Sequence, residues 1–496
     1  MTRTASALVL SDVLERRAAD DPDGMAFNVD GGAVLHFADW ERRSRAVAHA
    51  LLDAGLRHGD RVALWFSGLD WIGYAIGYLG LVRAGGTAVH LNDGMPPSEV
   101  DRRLAECGVS RVVHADRLSP PAGFAGPAHP LSTLDRGAGG PLDVALRPDD
   151  IVDIAYTSGT TGPAKAYTVP HGNLTFGRKL EAFQGFRDLP ATHMLVPMLL
   201  GSSTSATCVN SALSAQPTSV VCDQHDVERM GELIEQFKVT SIAITPWIAI
   251  QMLAAGIAKR HDLSSLKTFF NGSAPMPPAV ALRLMAMVPG AQVGGGCSQS
   301  EAGPALVFTM FNPAKPFSVG RPIPGTELRV ADKHGEPAAQ GQLGEIWLRH
   351  QAPRKLHVDP ELSAAVRADG WYRTGDYGRL DADGELLFFD RGADLIRLDG
   401  TVVSSLAVEA VLYEHDAVRE AAVFAAPRPG SAPEIVAAVA LSDPGALADV
   451  EAFAAGRLTA AQAPVRYLTV DTLPRTLNGK VLKRELRERA GAQVPA

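Results

Sequence analysis

Hydrophobic and polar positions alternate in blocks from residue 61 onward. Residues 61–66 form a short run of branched, aromatic and small side chains, 71–84 carry apolar positions at helical spacing, and 87–91 return to a strand pattern. Strand, helix, strand is the rhythm of a βαβ unit. Ser98, with Asp101 three positions on, predicts a helix start leading to Cys107, and 111–114 reads as the next strand. The rhythm then returns: 151–155, 218–222, 241–245 and 268–270 read as strands, and helices are predicted over 227–238, 247–258 and 278–287. Two α/β layers with mostly parallel sheets are the packing this order predicts.

Between 320 and 348 the texture changes to short strand-like runs separated by Gly325, Gly335, Gly341 and Gly344, which predicts a small β unit. Beyond Arg391 a further block has strand and helix patterns of its own, for instance 421–425 and 447–456, enough for a separate small domain. The boundary is placed near Asp390, giving domains of 1–390 and 391–496. The stretch 118–141, rich in Pro, Gly and Ala, reads as a surface connection.

Composition narrows the class without naming a chemistry. A chain of 496 residues, 46% hydrophobic and 21% charged, has the make-up of globular protein with more than one core. Its formal net charge of −8 argues against a nucleic-acid partner, which calls for a basic face. Cys107, Cys208, Cys222 and Cys297 are widely spaced with no CxxC pair, so reduced thiols are expected rather than a zinc knuckle or a disulfide framework. Residues 1–18 lack the order of a signal peptide, and no apolar run is long enough for a bilayer, which predicts a cytoplasmic protein without a membrane partner.

The strongest chemical signal directly follows the strand predicted at 151–155. Tyr156, Thr157, Ser158, Gly159, Thr160, Thr161, Gly162, Pro163, Ala164 and Lys165 bring hydroxyls, glycines and a lysine together. Glycines let backbone N–H groups approach an anion, hydroxyls add donors, and lysine adds a point charge. The Gly-Lys-Ser/Thr ending of a Walker loop is absent. A polar surface turn would need no such density of donors, so a phosphate cradle is the better reading.

This segment resembles the signature of the adenylate-forming superfamily: acyl-CoA synthetases, peptide-synthetase adenylation domains and luciferases. Further segments resemble that family in the correct order. The run 269–275, with Gly272, Ser273, Ala274 and Pro275, is similar to its adenine-contacting turn, and Cys297, Ser298, Gln299, Ser300 and Glu301 stand where it usually has Tyr-Gly-x-Thr-Glu. Residues 371–376 are similar to its ribose-binding motif, Asp390 and Arg391 to the start of its hinge, and 474–480 to its C-terminal lysine loop. The resemblance implies a large N-terminal domain of two α/β layered subdomains plus a small β-barrel-like unit, then a small mobile α+β C-terminal domain. It implies ATP and Mg²⁺ as cofactors, Glu301 as the metal ligand, Asp376 on the ribose, Arg391 on ribose or phosphate, and Lys480 as the catalytic lysine. Each role suits its side chain: two acceptors for a diol, a fork of donors, a carboxylate for a hard cation. Lys483, Arg484, Arg487 and Arg489 read as charges decorating an exposed helix.

Departures from the family pattern concern substrate and domain motion. Pro197 is followed by Met198, Leu199, Leu200, Gly201 and Ser202, where many members have an aromatic-His pair, and Cys297 replaces a tyrosine. Leu199, Leu200, Ser202, Ser203, Gly295 and Gly296 are the expected pocket residues, and the small side chains from Ser202 to Cys208 suit a compact acid or a packed helix equally. Ala393 occupies the hinge pivot, where Asp or Lys is usual. The expected activity is adenylation of a small carboxylic acid and transfer to CoA. The alternatives are adenylation of an oxyacid such as nitrite with transfer to an aromatic amine, and a non-catalytic regulatory relative. The expected partners are the small-molecule acid and its acceptor, and a homodimer is left open.

Overall fold

The computed structural model describes residues 8–137, 139–156, 164–183, 192–198, 200–201, 203–214, 218–356, 369–398, 400–428, 431–476 and 478–492. The chain forms two compact units, one of residues 1–157, 165–242 and 351–363, the other of 158–164, 243–350 and 364–496.

In the first unit the predicted βαβ rhythm becomes a seven-stranded sheet. Its order is Lys355–Leu356, Ala166–Pro170, Ile151–Tyr156, Thr87–Leu91, Arg61–Trp65, Arg111–His114 and Ala128–Pro130. The five strands from Ile151–Tyr156 to Ala128–Pro130 run parallel, and Ile151–Tyr156 pairs antiparallel with Ala166–Pro170. Strands buried on both faces need near-continuous apolar sequence, and Thr87–Leu91 is buried at every position. A second set of pairings joins Ala33–His36, Met25–Val29, Thr218–Cys222 and His193–Pro197, with Ser241 and Ile242 on Met194 and Leu195. The core holds Phe27, Trp40, Trp71 and Tyr74 in edge and stacked ring contacts. Helix Trp71–Arg83 is buried on nearly every side, and its Arg83 is neutralised by Glu41.

Two local expectations fail here. The helix predicted from Ser98 is Pro97–Glu106, entered through Pro96, and no side chain caps it. Proline preset at the first helical position has done the work assigned to Ser98. The stretch 118–141 is more than a surface connection: it adds strand Ala128–Pro130 to the sheet and helix Leu131–Leu134, whose Leu131 and Leu134 are buried.

The second unit carries a parallel pair, Thr268–Asn271 and Gln292–Cys297, extended by antiparallel strands. Val307–Met310, Ser318–Pro322, Leu386–Arg391, Tyr372–Leu380, Gly344–His350 and Thr326–Ala331 follow in that order, so the β unit expected over 320–348 is continuous with this run. After the hairpin Ile396–Leu398 and Thr401–Val403 comes a three-stranded sheet, Val418–Arg428, Ser431–Leu441 and Arg466–Thr469, with helices Ser405–Leu412, Leu447–Arg457 and Lys483–Ala492. Leu486 and Ala490 pack on Phe424 and Val436.

Lys483 corrects the reading of that last helix. It is half-buried, 2.7 Å from Glu409, and donates to Ser405 Oγ at 2.7 Å. Arg487 also has partners, the Asp394 carboxylate at 2.7 Å and the Ala393 carbonyl at 3.2 Å. Arg484 and Arg489 are exposed, as expected. Helical periodicity puts charges on one face, but not every face turned from one apolar stripe is wet. Among the described residues no helix is long and apolar enough to cross a membrane, and all four cysteines are free and buried.

Candidate active site

The glycine-rich segment is the connection of a hairpin. Strand Ile151–Tyr156 enters it, Tyr156 pairs with Ala166 across the hairpin, and Ala166–Pro170 leaves it. Thr157, Ser158, Gly159, Thr160, Thr161 and Gly162 lie outside the described residues; half-buried Lys165 closes the connection. The entry is anchored by chemistry the sequence did not announce. Tyr156 is buried, its hydroxyl 3.0 Å from Cys107 Sγ and its ring face covered by the Arg103 guanidinium at 4.2 Å. Burial of Asp153, on the same strand, is compensated by His90 at 3.0 Å and the Tyr78 hydroxyl at 3.0 Å, while Tyr74 meets His90 Nδ1 at 2.9 Å. Buried polar groups satisfied in this way hold a strand in one register.

Among the expected pocket residues of this unit, Leu200 is buried in the main core, and its carbonyl accepts from Asn92 Nδ2 at 2.9 Å. In helix Ser203–Ser214, Ala206 and Cys208 join the same core and Ser205 is fully buried. Leu199 and Ser202, and the side chain of Ser203, lie outside the described residues.

In the second unit the motif residues converge. The turn after Thr268–Asn271 is held by Asn271 Nδ2 donating to the Ala274 carbonyl at 2.9 Å and by Gly272 N–H donating to the Ile244 carbonyl at 2.9 Å. Ser273 has φ 71°, a left-handed conformation uncommon outside glycine and often found at functional turns. Gly272, Ser273 and Pro275 are exposed and Ala274 half-buried. Asn271 Oδ1 is buried and, among the described residues, accepts no hydrogen bond, an open acceptor beside the turn. Gly295 lies against Asn271, whereas a Cβ on Gly296 would fall 2.1 Å from the Val307 carbonyl oxygen. Gly296 is therefore required by the neighbouring strand, whatever it lines.

Cys297 is buried, and burial pushes its thiol well above the usual range. Ser298 Oγ donates to the Ala305 carbonyl at 2.6 Å, so the local fold already uses this hydroxyl. Gln299 was not singled out in the sequence, yet its Nε2 donates to the Thr374 carbonyl at 2.5 Å and to Asp376 Oδ2 at 3.0 Å. Its signal was a long amide inside a recognised motif. Ser300 is exposed and Glu301 half-buried.

Asp376 and Arg391 are opposite one another because their strands are paired in that register, with Arg391 Nε 3.8 Å from Asp376 Oδ1. Thr374 shapes the approach: its Oγ1 donates to the Ile346 carbonyl at 2.6 Å and accepts from Asp376 N–H at 3.0 Å. Burial raises the Asp376 carboxyl from its ordinary range, opposed by Arg391, Gln299 and Lys480. Lys480 is brought into the same field. Burial and then Arg391 push its ammonium down to about 8, against Glu301 and Asp376, which support the charge. One cation, one fork of donors and two carboxylates thus act on each other in a partly dry site. Among the described residues no cluster of three or more His, Cys, Asp or Glu is built to hold a metal ion.

The AMP-binding enzyme family matches residues 14–353, and the AMP-binding enzyme C-terminal domain matches 407–480. The chain is 29% identical to 4-coumarate–CoA ligase 5 of Oryza sativa subsp. japonica, over 99% of this chain and 96% of that protein. It is 30% identical to a feruloyl-CoA synthase of Amycolatopsis sp, over 96% of this chain and 98% of the relative. Among solved structures, an amide bond synthetase from Marinactinospora thermotolerans is similar with a TM-score of 0.82 and 25% identity, covering 97% of this chain and 99% of the other. An anthranilate CoA ligase in complex with anthranoyl-AMP shares the fold, with a TM-score of 0.86 at 21% identity and 98% of each chain covered.

Proposed function

Since the chain belongs to the AMP-binding enzyme family and is an AMP-forming ligase, we propose that it adenylates a small carboxylic acid with ATP and transfers the acyl group to CoA. A carboxylate oxygen attacks the α-phosphorus and the bond to the leaving pyrophosphate breaks. The CoA sulfur then attacks the acyl carbon, AMP departs, and the thiol proton goes to solvent. The observation that carries this reading is the pairing of Asp376 with Arg391, 3.8 Å apart on neighbouring strands, with Lys480 and Glu301 in the same field. A mostly protonated lysine in a water-poor site offsets the charge that accumulates as two anions meet. Asp376 presents acceptors for the ribose hydroxyls, held by Gln299, and Arg391 adds donors for oxygens of the nucleotide. Asn271 Oδ1 offers an acceptor for an amino group such as that of adenine.

Glu301 fits Mg²⁺ in the way hard cations are held with nucleotides, by one carboxylate plus phosphate oxygens. When bound there, the ion would supply positive charge to those phosphates. Support for aromatic acids comes from the 4-coumarate and feruloyl relatives. A second reading is adenylation of nitrite or another oxyacid with transfer to an aromatic amine; the likeness to an amide bond synthetase supports its amine acceptor, since an amide joins an acyl group to nitrogen.

Pyrophosphate release and nucleotide analysis test both. The panel is 4-coumaric, ferulic, benzoic, anthranilic and long-chain fatty acids, and nitrite with an arylamine, each with and without CoA. AMP and pyrophosphate with an aromatic acid, and thioester only when CoA is present, are expected. ADP as the main product would overturn adenylation itself. Turnover requiring nitrite and arylamine, indifferent to CoA, would put the second reading first.

A further inference from the structure

The lysine loop is closed by contacts that the reading above leaves unused. Leu482 N–H donates to the Pro474 carbonyl at 2.8 Å, Thr476 N–H to the Lys480 carbonyl at 2.9 Å, and Gly479 N–H to the Thr476 carbonyl at 2.9 Å. Thr476 Oγ1 accepts from Lys480 N–H at 3.2 Å, and Gly479 turns the chain at φ 77°. Backbone bonds close the turn. Leu473, at its entrance, is buried in the apolar core of the sheet behind it, and Val481, at its exit, packs against that core.

Two charged side chains add directional bonds to that apolar anchor. Arg475 Nη1 donates to the carbonyl of Gly479, the residue before Lys480, at 2.8 Å. Its Nη2 lies 3.1 Å from Glu420 Oε2 on strand Val418–Arg428. The same Glu420 oxygen accepts from Leu473 N–H at 3.2 Å, at the loop's entrance. Glu420 is 5% exposed. One buried carboxylate thus grips the loop's start directly and its end through a guanidinium. A buried pair is poor evidence of stabilisation, because desolvation offsets attraction, but its fork geometry is directional.

We propose that Arg475 and Glu420 are positioning residues for adenylation, holding the loop so that Lys480 is delivered to the field of Glu301 and Asp376. This rests on the role given to Lys480 above. A small misplacement of a catalytic group costs up to about a hundredfold in rate. Arg475→Met keeps the side chain's length and removes its donors; Glu420→Gln keeps its shape and removes its charge. Each should lower kcat for pyrophosphate release about ten- to a hundredfold, with the KM for ATP within about twofold. Arg475→Lys, which cannot span both acceptors, should recover only part of the loss.

The experiment measures pyrophosphate release with the fastest acid of the panel for wild type, Arg475→Met, Glu420→Gln, Lys480→Ala and the double variant Arg475→Met/Lys480→Ala. Once Lys480 is gone, the Arg475 substitution should cost less than about twofold further, because there is no ammonium left to position. Hydrogen exchange on the substrate-free chain supplies a second reading: residues 474–482 should lose protection in Arg475→Met while strand Val418–Arg428 keeps it. A wild-type kcat in both single variants, or a full additive loss in the double variant, overturns the proposal, as does unchanged exchange in the loop. If Lys480→Ala itself turns over at the wild-type rate, the role of the lysine falls, and that result is distinct from a slow Lys480→Ala beside a normal Arg475→Met.

Discussion

At the scale of single residues, Lys480 and Asp376 separate chemistry from binding. The Lys480 charge is weakened by burial and by Arg391, and supported by Glu301 and Asp376. That balance suits a group needed most when negative charge peaks. Lys480→Ala should therefore slow adenylate formation at least about a hundredfold in single-turnover assays, with ATP affinity altered far less. Asp376→Ala should do the reverse and weaken ATP binding about tenfold or more, the scale expected for losing hydrogen bonds to a charged acceptor. Calorimetric titration with ATP, set beside the single-turnover rates, checks both. The two residues were legible because each stands in a contiguous motif with a side chain matched to its task. Gln299, Asn92 and Glu420 were not, since each acts on a partner distant in sequence: 77 residues on for Gln299, 108 for Asn92 and 53 for Glu420. Lys483 was misread for the same reason, its partner Glu409 being on another helix.

Elements were legible where periodicity and packing agree. Strands such as Thr87–Leu91 and Thr218–Cys222 begin and end where the apolar runs do, because a fully buried strand tolerates nothing else. Ends were harder to read, as the Pro96 entry of helix Pro97–Glu106 illustrates. The docking of the N-terminal helix Leu10–Asp20 left no sequence signal at all. Its first residue donates its N–H to His171 Nδ1 at 2.9 Å, and His171 is 1% exposed. Burial, opposed by Asp150 and Asp153 and reinforced by His58, pushes His171 down to about 4. A histidine whose folded value is lowered keeps its full contribution above its ordinary value of 6.5 and loses it as pH falls from there toward 4, because the unfolded chain takes up the proton first. The loss amounts to about 3 kcal/mol across that window. Urea unfolding at pH 7 and pH 4.5 should show the wild type losing much of this. His171→Asn, which keeps an acceptor but no titrating group, should lose less over the same interval. Equal losses in both proteins would remove His171 as the source.

For the whole molecule, the two half-reactions turn on how much of the chain moves between them. A boundary near Asp390 remains our proposal, and the contacts around it show what a rotation there would break. Asp390 Oδ2 accepts from Ser405 N–H at 2.6 Å, Ser404 Oγ donates to the Phe389 carbonyl at 2.7 Å, and Arg487 holds the Ala393 carbonyl and Asp394. The bonds of Asp390 and Phe389 span the pivot, while those of Arg487 tie the pivot residue to the C-terminal side. Ala393 lacks the charge that the resemblance leads one to expect there, so any restraint on rotation comes from its neighbours. If CoA transfer requires turning about Ala393, restricting that residue should separate the two steps. Ala393→Pro holds φ near −65° and removes an N–H, while Asp394 and Leu395 still donate to the Arg391 carbonyl on the near side. The expected outcome is pyrophosphate release in a first turnover within about threefold of wild type, with thioester formation from the enzyme-bound adenylate reduced tenfold or more. Rapid-quench analysis of both products in one reaction measures the two rates together. Equal thioester rates in wild type and variant would mean that the acceptor reaches the adenylate without this rotation, the behaviour expected of a small amine and not of a bulky CoA.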